Sequence, residues 1–316
     1  MGGVHGGRVA ASTAVGGIGR DILSARRRAT LLITAALGLS IGLPRVLAAE
    51  PPRRAPATDA TSNHSARNQA VRAIPWASLS EADRRDVQSV VHNASIYRRL
   101  PTRVIECDPD LFTFLLRHPD VVVDVWHLMG ISRVSLERTS AEAFRGTDGA
   151  GTTGRVRYVL ADWGADARNL AVVYADGAYE GKPFITPLRA QTVLLLQSTA
   201  TRDAKGRHQV TVRIDSFVHI DQIGVELVAK TVQPWISRMA DQNFVETVEF
   251  ISTFSRTAER NPQGMERLAG RLRTVDEPTR QELVALCYRT SERYAQRGHA
   301  RWTRPLVLAQ QHGLPQ

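Results

Sequence analysis

The sequence predicts an α+β fold: an antiparallel sheet, built as a meander, gripping a long C-terminal helix. Three observations carry the prediction. Between Arg133 and Val218 the chain runs through short stretches of strand-like texture, several of them alternating polar and apolar residues. Turn residues separate those stretches, so consecutive strands connect directly and run antiparallel. From Gln222 to Glu259 the apolar residues then recur every three or four positions, which keeps them on one face of a helix.

The N-terminus reads as an address. Arg26-Arg27-Arg28 precedes an apolar run, Ala29 to Leu43, followed by Pro44, Arg45 and Val46-Leu47-Ala48-Ala49. A basic region, an apolar stretch and small residues before a cut make a secretory signal over residues 1–48, cleaved after Ala48 or Ala49. This predicts a periplasmic or secreted protein. No stable transmembrane span is expected after cleavage, and an uncleaved N-terminal anchor is the alternative. Residues 49–75 are rich in Pro, Ala, Ser, Thr and Arg without apolar periodicity, and read as a disordered linker.

The folded part is expected from residue 76. Ser80-Glu81-Ala82-Asp83 starts a helix with Ser80 as its cap, running to about Tyr97 with Val87, Val90 and Val91 inward. Val104 to Cys107 is a short strand. Asp108-Pro109 opens a second helix, Asp110 to Arg117, which His118-Pro119 stops. Asp120 to Met129 is so apolar that periodicity does not decide between helix and strand. Strand texture follows at Arg133–Arg138, Arg155–Leu160, Leu170–Tyr174, Thr192–Leu196 and His208–Val218, with Val210, Val212 and Ile214 on one face. Asp148-Gly149, Asp166 to Asn169, Asp176-Gly177 and Lys205-Gly206 are the turn signals.

On the closing helix, Ile223, Leu227, Val228, Val232, Trp235, Ile236, Met239, Phe244, Val248, Ile251 and Phe254 form the apolar stripe. Pro234 predicts a kink or a fresh start, and Asn243 with Glu246 allows a break near Asp241. The domain closes at Asn261-Pro262, so it spans 76–262. A helical extension, 263–296, follows, with Leu283, Leu286, Cys287 and Tyr294 on one apolar face. Residues 297–316 read as an irregular tail.

Composition excludes some classes. The net charge is +10, but half of it sits in residues 1–48, and the rest is interspersed with acidic residues. No basic run interleaved with aromatics follows residue 54, so nucleic acid is not an expected partner. Cys107 and Cys287 match no zinc or redox spacing, and either pair across a long loop or stand as two buried thiols. No cofactor is implied.

Two motifs invite a catalytic reading. Gly149-Ala150-Gly151-Thr152-Thr153-Gly154 is a literal G-x-G-x-x-G. A dinucleotide site needs a strand before it and a helix after it, and here a strand follows, so it reads as a hairpin turn. Asp215, Phe217, His219 and Asp221 share strand parity, and two carboxylates with a His suit acid–base work. They underlie a hydrolase or cyclase reading.

Helices, then a meander, then a long helix entered through Asp221-Gln222-Ile223-Gly224-Val225-Glu226 and Ala229-Lys230-Thr231-Val232-Gln233-Pro234 resembles the START-like, or helix-grip, superfamily. The resemblance implies a cavity between the concave sheet face and the final helix, holding a lipid or other apolar small molecule without catalysis. Tyr158, Tyr174, Phe217, Trp235 and Met239 are the side chains expected to line it. Arg157, Arg213 or Asp215 would supply orienting polar groups. The competing expectation is a cell-envelope interaction or scaffold protein whose core is filled by its own side chains.

Overall fold

The computed structural model describes residues 58–164, 168–181, 186–221 and 233–302, with side chains from Ser237 to Gln296 in the last stretch. The predicted signal, the helix entry at 222–232, the side chain of Trp235 and the tail beyond Trp302 lie outside these residues.

The alternating stretches form strands β3 (Ser135–Ser140), β4 (Ala143–Thr147), β5 (Thr152–Trp163), β6 (Arg168–Tyr179), β7 (Leu188–Arg202) and β8 (His208–Ile220). They follow one another as an antiparallel meander. Two earlier strands, β1 (Ile96–Arg99) and β2 (Arg103–Glu106), both pair with β8. The order across the eight-stranded sheet is β1-β8-β7-β6-β5-β4-β3, with β2 beside β1 along β8. The fold is thus the α+β meander with a long C-terminal helix that the pattern predicts.

Seven helices accompany the sheet among the described residues. Helix α1 is His64–Ala73, α2 Glu81–His92, α3 Pro109–Arg117, α4 Pro119–Leu128, α5 Gln233–Arg260, α6 Pro262–Ala269 and α7 Glu277–Trp302. Their starts follow local chemistry. Ser80 Oγ accepts from the Asp83 amide at 3.1 Å, and Asp108 Oδ1 accepts from the amides of Asp110 and Leu111. Pro109, Pro119 and Pro262 occupy first-turn positions where no amide donor is needed.

Alternation sends each strand's side chains to two faces. On the first face, Val210, Val212 and Ile214 of β8 join Phe114, Trp126, Phe244, Val248 and Phe254 in the main core, against α3, α4 and α5. On the second, Val193, Leu195 and Phe217 join Ala66, Ala70, Val87, Val90 and Val91 against α1 and α2.

Several expectations are corrected. Helix α2 stops at His92, and Ile96–Arg99 is a strand, because Asn93 caps the helix and the chain turns to pair with β8. Strand β4 was not visible in the pattern, being short and carrying Gly146. Asp176-Gly177 lies inside β6 rather than at a turn. Of the turn at 166–169, Asn169 belongs to β6 and residues 165–167 are outside the description. Helix α5 runs unbroken past Asp241. The supposed linker contains α1, capped by Asn63 and held because Ala66 and Ala70 are small enough to sit on the second face. The supposed extension is part of the main core: Met265, Leu272, Leu283 and Leu286 pack within it. Tyr294 is exposed (43%), and α7 continues through Gly298 to Trp302 instead of ending before an irregular tail.

Candidate functional site between the sheet and the long helix

Both faces of the sheet are covered, but differently. The second face is locked by charge. Asp215 is fully buried on β8 and accepts from the Tyr97 hydroxyl at 2.6 Å and from Arg99 Nε at 2.7 Å, and Arg213 Nε lies 3.3 Å away. Arg99 also donates to Gln69 Oε1 and the Ala66 carbonyl, which ties α1 to the cluster. Burial, together with the Asp215 hydrogen bond, pushes the Tyr97 phenol well above its ordinary pKa, so it stays a neutral donor. Farther along this face Arg157 reaches Asp83 and Asp86 of α2 and lies over the Tyr174 ring, 4.8 Å from its centre.

The first face carries small residues where the second carries charge. Strand register sets Gly146 of β4 opposite Gly154 of β5, Gly154 opposite Gly177 of β6, and Gly177 opposite Ala190 of β7. One step along the strands the row is Phe144, Val156, Ala175, Thr192 and Val218. The next is Tyr158, Val173, Leu194, Ser216 and Arg98. The buried apolar residues of this face fall into two separate groups. One is the main core, and the other is Ile96, Tyr179, Leu188, Ala190, Val218 and Ile220.

Val156, Tyr158, Leu194 and Leu196 lie on this face and are only half-buried. Strand β7 is central, flanked by β6 and β8, and its residues facing the other way, Val193 and Leu195, are fully buried. Leu194 and Leu196 are therefore packed less completely than the residues that alternate with them on the same strand. Tyr158 points the same way. Burial raises its phenol well above the ordinary value, and its hydroxyl donates to the Leu116 carbonyl, yet the ring keeps accessible surface. Its edge meets Phe144 and Trp163. Arg98, paired with Asp241, fastens β1 to α5, and Ser252 of α5 donates to the Glu106 carbonyl of β2 at 2.8 Å. These bonds anchor the helix along one edge of the sheet.

Of the five residues expected to line a cavity, Tyr158 is on this face, and Met239 is half-buried on α5, which packs against β2 at the edge of the sheet. Tyr174 and Phe217 are not with them: both pack on the second face, Phe217 5.1 Å from the Tyr97 ring. Arg157, Arg213 and Asp215 are engaged there too. Strand parity explains the error, because Phe217 is odd-numbered on a strand whose even residues, Val210 to Ile214, face α5. The residues sequence reasoning passed over are Val156, Leu194, Leu196 and Thr192. The signal that points to them is Gly146, Gly154 and Gly177, glycines inside strands where something approaches the backbone closely.

The acid–base row is split: Asp215 is held by Tyr97 and Arg99, while His219 pairs with Asp221. His219 lies four residues from Asp215, about 13 Å along a strand. It contacts the Asn93 carbonyl at 2.8 Å and Asp221 at 3.3 Å. Among the described residues no group of three His, Cys, Asp or Glu side chains is arranged to hold a metal. The glycine motif is a hairpin turn. Gly149 and Gly151 have φ of 67° and 113°, and Asp148 Oδ1 accepts from the amides of Ala150 and Thr152. Cys107 and Cys287 are free and buried in the main core, where burial pushes the Cys287 thiol up to about 12. No described helix is long and apolar enough to cross a membrane.

Fold and site together define an α+β protein with a meander sheet and a long C-terminal helix. Compared with protein-family models, the chain matches none, and no curated protein matches it.

Proposed function

We propose that this protein binds a lipid or other apolar small molecule between the first face of its sheet and α5, without catalysing a reaction. The observation that carries the reading is the accessible surface on Leu194 and Leu196, apolar side chains at the centre of the sheet whose neighbours facing the other way, Val193 and Leu195, are fully buried. Pockets for such ligands are concave and mostly apolar, with a few oriented polar groups. The order of helices, meander and long helix supports it as well, through the resemblance to START-like proteins. The pattern from Arg26 to Ala49 supports export to the periplasm or beyond, where a carrier of apolar molecules has a use.

The scaffold reading has its own support. Helices α3, α4, α6 and α7 fill much of the same face with their side chains, and α6 and α7 offer a partner surface. Native mass spectrometry of the protein, purified from its own host and never delipidated, separates the two. Binding predicts a mass above that of the chain that organic extraction removes. A bare chain that takes up no apolar probe would leave the scaffold.

A further inference from the structure

We infer that the helical end of this protein, the last turns of α5 with α6 and α7, docks on the surface of an anionic phospholipid bilayer. The inference goes beyond the apolar-ligand reading and stands without it. Charge carries it. Residues 49–255 hold 24 basic and 24 acidic side chains, so that part of the chain has no net charge. Residues 256–316 hold 11 arginines against six carboxylates, a net charge of +5. The excess is exposed and uncompensated. Arg256, Arg260, Arg267, Arg271, Arg273 and Arg289 are exposed, and none makes an ion pair among the described residues. Four of the carboxylates are engaged elsewhere: Glu266 accepts from the Tyr288 hydroxyl, Asp276 from the Thr279 amide, and Glu277 and Glu282 pair with Arg280 and Arg117.

Local geometry groups these arginines. Arg256 and Arg260 stand one turn apart at the end of α5. Arg267 and Arg271 do the same, because helical turns continue past α6, the Arg271 amide donating to the Leu268 carbonyl at 3.0 Å. The Tyr288–Glu266 hydrogen bond, 2.6 Å long, ties α6 to α7 and holds Tyr288, next in the chain to Arg289, within the field of Arg267. Ser291 Oγ donates to the Glu259 carbonyl at 3.0 Å, which holds α7 against the end of α5 beside Arg260. Chemistry chooses the partner. Guanidinium groups stay charged and match phosphate oxygens two at a time. Nucleic acid offers the same oxygens, but single strands are held on several stacking aromatics. Here Tyr294, on α7, is the only large apolar side chain exposed among the described residues. One tyrosine beside basic residues suits the headgroup level of a bilayer instead. The export pattern from Arg26 to Ala49 supports a place beside a membrane as well.

The test is sedimentation of the full chain with vesicles of phosphatidylglycerol and, separately, of phosphatidylcholine. The protein is expected to bind the first and not the second, and added salt is expected to release it. Arg267→Gln with Arg271→Gln should weaken binding at least about tenfold, and Arg289→Gln, on a different helix, about fivefold, with melting temperatures unchanged. Arg168→Gln with Arg202→Gln removes the same charge from exposed positions on the sheet, and should change binding less than about twofold. Equal binding to both lipids overturns the inference. So does wild-type affinity in the Arg267/Arg271 variant or, should that variant not fold, in Arg289→Gln, since the basic N-terminus would then carry the binding. Equal weakening by the sheet variant reduces the effect to net charge and overturns it too. Tighter binding to a DNA duplex than to phosphatidylglycerol reassigns these arginines to nucleic acid and overturns it as well. Failure to take up any apolar probe would end the apolar-ligand reading and leave this one standing.

Discussion

The two faces of the sheet are made by the same strands and do different work. On the second face, polar side chains are paired: Asp215 with Tyr97 and Arg99, and Arg157 with Asp83 and Asp86. Apolar residues there, such as Val193, Leu195 and Phe217, are fully buried. On the first face Thr192 is unpaired, three glycines stand in line, and Leu194 and Leu196 keep accessible surface. The difference lies in charge: ion pairs and hydrogen bonds tie the second face to α1 and α2, whereas the first face meets its helices chiefly through apolar packing.

The largest effect should come from the locked face. Asp215→Ala leaves Arg99 and Arg213 near a buried phenol without their counter-charge, and should cost about 3–5 kcal/mol in urea denaturation. The folded fraction should still take up an apolar probe. Loss of uptake by molecules that remain folded would couple the faces and break the comparison.

Adjacent leucines on β7 sharpen it. Leu195→Ala empties a sealed site and should cost about 2–5 kcal/mol with probe affinity kept. Leu194→Ala should cost under about 2 kcal/mol, because the side chain is not fully packed, yet weaken the probe. Equal stability losses with no change in binding would put Leu194 in ordinary core.

Asn63→Ala removes the cap whose Oδ1 accepts from the Ala66 amide at 2.7 Å. It should cost about 1 kcal/mol, seen as a lower melting temperature, if α1 is a working part of the second face. A value near zero would return α1 to the status of a loose spacer.

The smallest effect is a pH slope. Burial, and then the neighbouring Arg138, lower the pKa of His118 from its ordinary 6.5. The unfolded chain therefore takes up this proton first as pH falls. Stability is complete above about pH 6.5 and is lost as pH falls toward the lowered folded value. His118→Gln should flatten the melting temperature between pH 7 and pH 5, and an unchanged slope would assign it to other groups.

Much of this fold was legible because its signals are local. Ser80, Asp108 and Asn261 mark helix starts through bonds to their own neighbours, and the alternation in β8 survives any arrangement of the other strands. Helix α1 was missed because its buried face is only Ala66 and Ala70, too small to register as an apolar stripe. The faces were less legible: Tyr158 lies on the face expected of it, but Tyr174 and Phe217 pack on the other. Type says that an aromatic wants burial, and not which side of the sheet will bury it.

By itself, the sequence determined the class of fold, the run of strands that ends in β8 and the starts of several helices, since periodicity and capping act over a few residues. Only the tertiary structure decided the faces. A one-residue change of register exchanges them, and register is set by pairing between strands far apart in the chain. That pairing brought Gly146, Gly154 and Gly177 into one row, set Thr192 beside it, and sent Asp215 to the far side with Arg99 and Tyr97.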